Sequence, residues 1–293
     1  MALLSPGIAY SLAAAVIWGT YIFALKRYFS RYPGTVLIVV VNAVAVAWYL
    51  PVAVSRVGAA GLPDAGAFGA SEAAIVVGTV VTTAAAFLVF LRALAAGEVS
   101  YVTPINKIVP VFVLPIEVLL LHQRLTPLQV VGVLVATLAV YVANYRTGSL
   151  LDPLRKAASA RPAQLALLSA ACYAVSDVGK RLALQELGIQ PELWVPTLLL
   201  GVLVVVLPLA LREWTPVRED LPKFVVAGAG VALGEHVTSL AFQQVPASIA
   251  SPIINTQAVV AVVLGGVLLR ERAFATRLVA AGLAVCGVGL IAL

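Results

Sequence analysis

The chain has 293 residues, of which 62% are hydrophobic and 11% are charged, with a net charge of +6 and a mean hydropathy of +1.04. Soluble domains are about 45–50% apolar and about 25% charged, so this composition excludes a soluble globular protein, a disordered chain and a disulfide scaffold. In such a chain an excess of Lys and Arg in loops indicates membrane orientation rather than nucleic-acid binding. We expect an integral membrane protein that lies in the lipid bilayer and has no nucleic-acid partner.

Ten apolar segments follow one another along the chain, each close to the roughly 20 residues that a membrane-spanning helix needs. In chain order they lie at residues 4–25, 34–54, 72–94, 101–121, 126–145, 164–183, 193–211, 224–243, 248–269 and 274–293. The basic residues Lys26, Arg27 and Arg31 follow the first segment, whereas a signal peptide carries its basic residues in front. The sequence thus predicts an all-α integral membrane fold with ten transmembrane helices.

The second half of the chain repeats the first at a constant offset of 148 residues. The non-apolar matches are Ser100 with Ser248, Pro104 with Pro252, and Arg124 with Arg272. Since each half has five helices, an odd number, corresponding helices cross the membrane in opposite directions. Such inverted repeats are typical of transporters, which bind substrate near the midplane between the repeats. The predicted organisation is a first five-helix repeat at 1–147, an inter-repeat loop at 148–163 and a second five-helix repeat at 164–293.

Polar residues inside the predicted spans indicate the candidate site, because an ionised side chain at the bilayer centre costs about 2.5–3.5 kcal/mol on insertion scales. These polar residues recur at helical spacing in predicted helices 1, 3 and 4 and in their counterparts 6, 8 and 9, whereas helices 5, 7 and 10 contain few polar residues. We therefore expect the six helices that carry them to line a polar cavity. The predicted substrate-binding residues are Trp18, Tyr21, Thr79, Thr83, Thr103, Asn106, Lys107, Tyr173, Asp177, Glu235, Ser239 and Asn255.

Several of these residues also have a purely structural interpretation. Lys107 could extend to the membrane interface, and Asp177 could form a local ion pair with Lys180 or Arg181. Ser and Thr at helical spacing often join helices, and aromatic residues often pack in the core. Glu235 lies near the centre of its helix, so it favours a role in the cavity or in carrying a coupling proton. His236 is expected to pack or to hydrogen-bond, and three further residues are expected at the interface: Glu117, Arg124 and Glu271.

Other functional classes find little support in the sequence. Cys172 and Cys286 fall inside apolar segments and only two His are present, so we expect no metal site and no cofactor. No nucleophile with a base and an orienting group can be assembled, and no phosphate-binding P-loop is present, so neither an enzyme nor a primary pump is predicted. A non-transporting scaffold or receptor is disfavoured, because costly polar residues recur in both halves.

Short motifs resemble the drug/metabolite transporter superfamily, and more narrowly its EamA-type branch. These motifs are Trp18-Gly19 in helix 1, Thr103-Pro104 with Pro110 in helix 4, and Glu271 followed by Gly282. The sequence departs from the family pattern at Gln123, where the first repeat would often have Glu. The resemblance implies ten helices in two repeats, alternating-access transport of small metabolites, often amino-acid export, and cytoplasmic termini.

The charges in the cavity indicate a substrate class. Lys107 opposite Asp177 and Glu235 would satisfy a zwitterion such as an amino acid, because each buried charge needs a partner. Two other substrate classes stay open: lipophilic cations exported in exchange for a proton at Glu235, and organic anions or phosphorylated metabolites held by Lys107. Loop charges place both termini outside the cell (inner or plasma) membrane, in conflict with the resemblance, and the oligomeric state cannot be predicted.

Overall fold

The computed structural model describes residues 5–60, 69–96, 105–144, 160–268 and 274–293. Thr103, Glu271 and most of the predicted inter-repeat loop lie outside these residues. The limits of the two repeats, 1–147 and 164–293, therefore stay a prediction.

The described chain is helical throughout, which confirms the all-α prediction. Its helices are α1 (Pro6–Tyr28), α2 (Gly34–Ala60), α3 (Ala70–Ala96), α4 (Val109–Pro115), α5 (Pro127–Asn144), α6 (Arg161–Arg181), α7 (Pro191–Arg212), α8 (Leu221–Gln244), α9 (Ala247–Asn255), α10 (Gln257–Leu268) and α11 (Phe274–Ala292). Single π-helical turns at Ile116–Leu120 and Leu182–Glu186 continue α4 and α6, and a 3-10 turn at Arg218–Asp220 leads into α8. Several helices carry proline in the first turn, where its missing N–H has no helical partner to lose: Pro6, Pro162, Pro191 and Pro222.

Ten continuous spans are confirmed only in part. Five segments are long and apolar enough to cross a bilayer: Pro6–Leu25, Gly34–Arg56, Ala70–Ala93, Pro191–Arg212 and Arg218–Gln244. Shorter apolar helices cover Val109–Leu120, Pro127–Ala139 and Ala247–Ala261. Two physical features contribute to the difference within the described residues. The helices predicted at 101–121 and 248–269 are interrupted, and α6 carries Asp177, Lys180 and Arg181 near its end.

The two interruptions occur at equivalent positions of the halves. In the first half the chain turns at Lys107–Ile108, and in the second it turns at Thr256. Each turn is closed by two i to i−3 hydrogen bonds, from Ile108 to Ile105 and Val111 to Ile108 in one half, and from Thr256 to Ile253 and Val259 to Thr256 in the other. All these positions are related by the offset of 148 residues. Interrupted helices of this kind surround the substrate sites of many transporters.

Local chemistry explains both interruptions. Pro110 has no N–H to donate to the carbonyl of Asn106, so the helix cannot run unbroken through Lys107. In the second half the Asn255 side chain donates to the carbonyl of Ser251 at 2.9 Å, and the Thr256 hydroxyl donates to that of Ile253 at 2.6 Å. Side chains that bond nearby carbonyls in this way compete with the helical backbone.

Helices of one half pack mainly against helices of the other. The α3 helix packs on α6, and the equivalent pair, α8 and α1, packs likewise. The α4 helix also contacts α6, and its counterparts α9 and α10 contact α1. The α2 and α7 helices pack on each other, as do α5 and α11. These contacts recur when the halves are exchanged, so α1 and its counterpart α6 each pack against helices of the other half.

Small residues allow these helices to approach closely, and large apolar residues face outward. A Cβ atom added to Gly287 of α11 would lie 2.5 Å from the backbone nitrogen of Ala136 in α5, so a larger residue there would push the two helices apart. Close approach through small residues is the usual way in which helices pack in lipid. The outer surface exposes aliphatic side chains, among them Val204, Val226 and Val285, as expected of a surface that contacts lipid tails.

Candidate functional site

Four charged side chains converge near the centre of the bundle. Lys107 lies in the first interruption, Asp177 and Lys180 lie on α6, and Glu235 lies on α8. We call these four residues the central charged cluster. Asp177 interacts electrostatically with each of the other three. Two acidic and two basic groups make the cluster neutral in formal charge, which lowers the cost of keeping ions away from water.

Lys180 and Glu235 form an ion pair across the two helices. The Lys180 Nζ atom lies 3.5 Å from Glu235 Oε2, and the two side chains are 10% and 14% exposed. That distance is too long for a good hydrogen bond, and Glu235 Oε2 is buried without a hydrogen-bond partner in the described part of the chain. A buried carboxylate oxygen that lacks a donor costs free energy, so a ligand that supplies a donor here would be stabilised.

Asp177 is held by the interrupted helix of the second half. Ser251 of α9 donates its hydroxyl to Asp177 Oδ2 at 2.6 Å, and Asn255 donates to Ser251 Oγ at 3.3 Å. The local ion pair considered from the sequence is not the arrangement observed, because Lys180 pairs with Glu235 and Arg181 pairs with Glu186 at 3.0 Å. Asp177 therefore joins α6 to α9.

Lys107 is the cation of the cluster with the fewest contacts. It is half-buried and interacts electrostatically with Asp177. Among the described residues it forms neither a hydrogen bond nor an ion pair within 4.0 Å. An anionic group within hydrogen-bond distance would satisfy this ammonium group.

Aromatic side chains lie beside the charges. Trp18 of α1 donates its indole N–H to the Thr238 hydroxyl at 2.9 Å, and its ring packs edge-to-face on Tyr21 at 5.6 Å between centroids. Tyr173 lies one turn before Asp177 and interacts electrostatically with Asp177 and Glu235. These rings offer an apolar and cation-attracting surface next to the two acids.

The other predicted site residues mainly join helices. Thr79 and Thr83 donate to carbonyls of their own helix, and Thr83 also contacts the Ser176 hydroxyl of α6. Asn106 donates to Ser169 of α6 at 2.8 Å. Ser239 is buried and donates to the carbonyl of Glu235, one turn away in the same helix. Asn255 supports Ser251, and Thr103 lies outside the described residues.

Glu117, which was predicted at the interface from its place near a helix end, is fully buried inside the protein. Its carboxylate accepts the backbone N–H groups of Ala247 and Ser248, each at 2.7 Å, and the Ser248 hydroxyl at 2.5 Å. It therefore binds the first residues of α9, where the helix leaves N–H groups without helical partners. Arg181 Nε lies 4.0 Å from Glu117 Oε1. We call this end of the bundle, at which α8 ends and α9 begins, the Glu117 end.

The opposite end, at which α1 ends and α8 begins, is the Arg31 end. Arg31 forms an ion pair with Asp220 at 2.7 Å, and Lys223 forms another with the same carboxylate at 2.7 Å. Tyr32 donates its hydroxyl to Asp220 and accepts a hydrogen bond from Arg31, which raises the pKa of the Arg31 guanidinium. The Arg31 and Lys223 side chains are 54% and 51% exposed, so water reaches this network.

Sequence reasoning missed Lys180 and Ser251 as parts of the site. Ser251 lies three residues after Ser248 and four before Asn255, so all three share one helical face, and that spacing was the available signal. Lys180 was visible on the same stripe as Asp177, but its partner lies on another helix. Nothing in the sequence indicates that pairing.

His236 accepts or donates a 2.7 Å hydrogen bond with the Tyr49 hydroxyl.

Similarity to known proteins agrees with this arrangement. The sequence matches the EamA-like transporter family twice, over residues 5–145 and 161–293. The chain belongs to the EamA-like transporter family. It is therefore a multi-pass integral membrane transporter, and the resemblance drawn from Trp18-Gly19 and the other motifs is confirmed.

A solved structure supports the fold of this EamA-like transporter. That structure, named "Crystal structure of protein", has 15% sequence identity and superposes with a TM-score of 0.77, and the match covers 99% of each chain. At that identity the likeness shows the fold alone. Comparison with curated proteins finds none that matches.

Proposed function

We propose that this EamA-like transporter carries small zwitterionic metabolites, with amino acids for export as the first candidate, by alternating access across the cell (inner or plasma) membrane. The substrate would bind near the midplane, between the two repeats. Its carboxylate would contact Lys107, and its ammonium group would contact Glu235. Trp18, Tyr21 and Tyr173 would pack on the rest of the molecule.

One observation carries this proposal: each of two opposite charges in the central charged cluster lacks a hydrogen-bond partner within the described chain. Glu235 Oε2 is buried without a hydrogen bond, although the Lys180 ammonium lies 3.5 Å away, and Lys107 has only a longer-range interaction with Asp177. Such groups are costly in a membrane interior. A ligand that brings both a cation and an anion offsets both costs, whereas a ligand with a single charge offsets one.

Lipophilic cations are the second candidate substrate, favoured by the aromatic rings around the acids. The Trp18–Tyr21 pair lies on α1, and Tyr173 lies within electrostatic reach of Glu235. A cation could bind to these rings and exchange with a proton on Glu235. In that case Lys107 would contribute little to binding.

Counterflow in proteoliposomes tests the proposal. Vesicles are preloaded with an unlabelled amino-acid mixture, and entry of each labelled amino acid is measured for wild type, Lys107→Met and Glu235→Gln. Both substitutions keep the approximate size of the side chain and remove its charge. We expect entry for wild type and a loss of about tenfold or more in each variant, since hydrogen bonds to charged groups contribute about 1.5–3 kcal/mol.

The matched control is Glu219→Gln, which removes a carboxylate from a side chain that is 85% exposed at the Arg31 end. It should leave counterflow unchanged. No entry of any amino acid into vesicles with folded wild type would overturn the zwitterion proposal. Entry of labelled organic cations that depends on Glu235 but not on Lys107 would favour the second candidate, and entry of phosphorylated metabolites would favour an anion carrier.

A further inference from the structure

The Glu117 end and the central charged cluster share the same two helices. On α6, Asp177 belongs to the cluster and Arg181 lies beside Glu117, four residues later. On α9, Ser251 binds Asp177 and Ser248 binds Glu117, three residues earlier. Residues three and four apart lie on one face of a helix. The start of α9 is therefore held by α4 through Glu117, and its middle is held by α6 through Asp177.

The contacts of Glu117 cross from the first half of the chain to the second. Its carboxylate is fully buried, and three donors from α9 surround it. Gln185, which accepts a hydrogen bond from Arg181, donates to the carbonyls of Phe242 and Val245 at the end of α8. Hydrogen bonds thus join α4 to the start of α9 and the end of α6 to the end of α8, and Arg181, 4.0 Å from Glu117, lies between the two sets.

We propose that the Glu117 carboxylate is a latch that closes this end of the carrier, and that α9 must leave Glu117 before this end can open. The inference rests on the proposed alternating access, in which each end opens in turn. Beyond alternating access, the inference names the residue that holds this end closed, Glu117, and the helix that connects Glu117 to the central charged cluster, α9. A ligand at Asp177 that draws Ser251 away would move α9, and with it the donors at Ala247 and Ser248.

If Glu117 only capped the start of α9, the expected result would differ from that of a latch. A cap would hold α9 in every state of the carrier, so its loss would lower stability without changing which end is open. A latch is made in one state and broken in another. Weakening it would therefore raise the population open at the Glu117 end, and the change could be read as a distance.

Distances between spin labels at each end test the inference. In a background with Cys172→Ala and Cys286→Ala, one pair of labels is placed at Arg124→Cys and Gln244→Cys, exposed positions at the Glu117 end. A second pair is placed at Ser30→Cys and Arg218→Cys, exposed positions at the Arg31 end. Double electron–electron resonance is recorded for the reconstituted protein without ligand, so the result does not depend on the identity of the substrate.

Glu117→Gln should raise the ratio of long to short distances at the Glu117 end by about tenfold, because the neutral amide loses the charge that strengthens its hydrogen bonds and can no longer accept all three. Ser248→Ala removes one donor and leaves the carboxylate and both backbone bonds, so it should shift the ratio in the same direction by a smaller factor. Asp220→Asn, the matched control at the Arg31 end, should not lengthen the distance at the Glu117 end.

Wild-type distances at the Glu117 end in both Glu117→Gln and Ser248→Ala would overturn the latch. Equal lengthening in Asp220→Asn would overturn it as well, since the effect would then be general loosening. If Glu117→Gln does not fold, the shift in Ser248→Ala decides the question. Absence of amino-acid counterflow would remove the proposed substrate and would leave the outcome of these distance measurements unaffected.

Discussion

The two ends of the bundle join the repeats with similar chemistry in different surroundings. At the Glu117 end a carboxylate with no exposed surface accepts three hydrogen bonds from the start of α9. At the Arg31 end the Asp220 carboxylate also receives several donors, but the cations that contact it are about half exposed. Both carboxylates link residues that are far apart in the chain.

Burial, rather than the number of contacts, decides how strongly each end is held. Water competes for the charges at the Arg31 end and salt screens them, so such pairs contribute little. At the Glu117 end there is no water to replace a lost partner, so separation leaves polar groups unsatisfied. The central charged cluster lies between these extremes, with Lys180 and Glu235 10% and 14% exposed. We therefore expect separation of the helices to cost more free energy at the Glu117 end than at the Arg31 end.

The largest expected effect is the loss of stability in Glu117→Ala. The substitution leaves the backbone N–H groups of Ala247 and Ser248 without their acceptor and removes a negative charge beside Arg181. Breaking a buried, charge-paired group typically costs about 3–5 kcal/mol. Unfolding in mixed micelles with increasing fractions of denaturing detergent measures the change. Asp220→Ala is the comparison at the other end, and a loss as large as that of Glu117→Ala would show that burial does not distinguish the two ends.

A smaller effect is expected at the Lys180–Glu235 pair. Lys180→Met should lower the free energy of unfolding by about 1–3 kcal/mol, because it leaves the Glu235 carboxylate buried without its cation. The double variant Lys180→Met with Glu235→Gln should recover part of this loss, since no unpaired charge then remains. Unfolding of wild type, the two single variants and the double variant in mixed micelles completes this double-mutant cycle.

Counterflow measurements distinguish a structural role of the Lys180–Glu235 pair from a role in transport. The double variant should stay inactive in counterflow even where its stability is recovered, because the ammonium group of the substrate has lost Glu235. Recovery of counterflow together with stability would show that Glu235 serves only to balance Lys180.

Much of the fold could be predicted from the sequence because apolar length determines membrane helices so strongly. The predicted span 193–211 agrees with α7 to within two residues at each end, and the predicted span 34–54 begins with α2, which continues to Ala60. The offset of 148 residues relates the two interruptions, at Lys107–Ile108 and at Thr256. Pro110 and Pro252 indicate from the sequence that these helices are kinked or interrupted, but they do not distinguish an interruption from an ordinary packing kink, because an apolar run has the same composition whether or not its backbone hydrogen bonds continue. The signals were Pro110, Asn255 and Thr256, which are also common in packing kinks.

The site was less accessible to prediction because its contacts join distant parts of the chain. Helical spacing placed Asp177 and Lys180 on one stripe, but it could not show that Lys180 reaches Glu235 on α8. The position of Glu117 near the end of an apolar run suggested the interface, since a side chain there can usually reach water. Its burial depends on the start of α9, which lies 130 residues later in the chain. Spacing within one helix carries no information of that kind.

The smallest expected effect is the dependence of stability on salt concentration. It distinguishes the Arg31 end from the Glu117 end. Asp220→Asn should lower the free energy of unfolding slightly at low ionic strength, and the difference from wild type should vanish at about 1 M NaCl, where the Debye length falls to about 3 Å. The corresponding difference for Glu117→Gln should persist, because salt does not reach a carboxylate enclosed by α4, α6 and α9. Micelle unfolding of the three proteins at about 0.1 M and about 1 M NaCl measures both differences. A Glu117→Gln effect that disappears with salt would mean that water and ions enter this end, and the contrast between the two ends would then be lost.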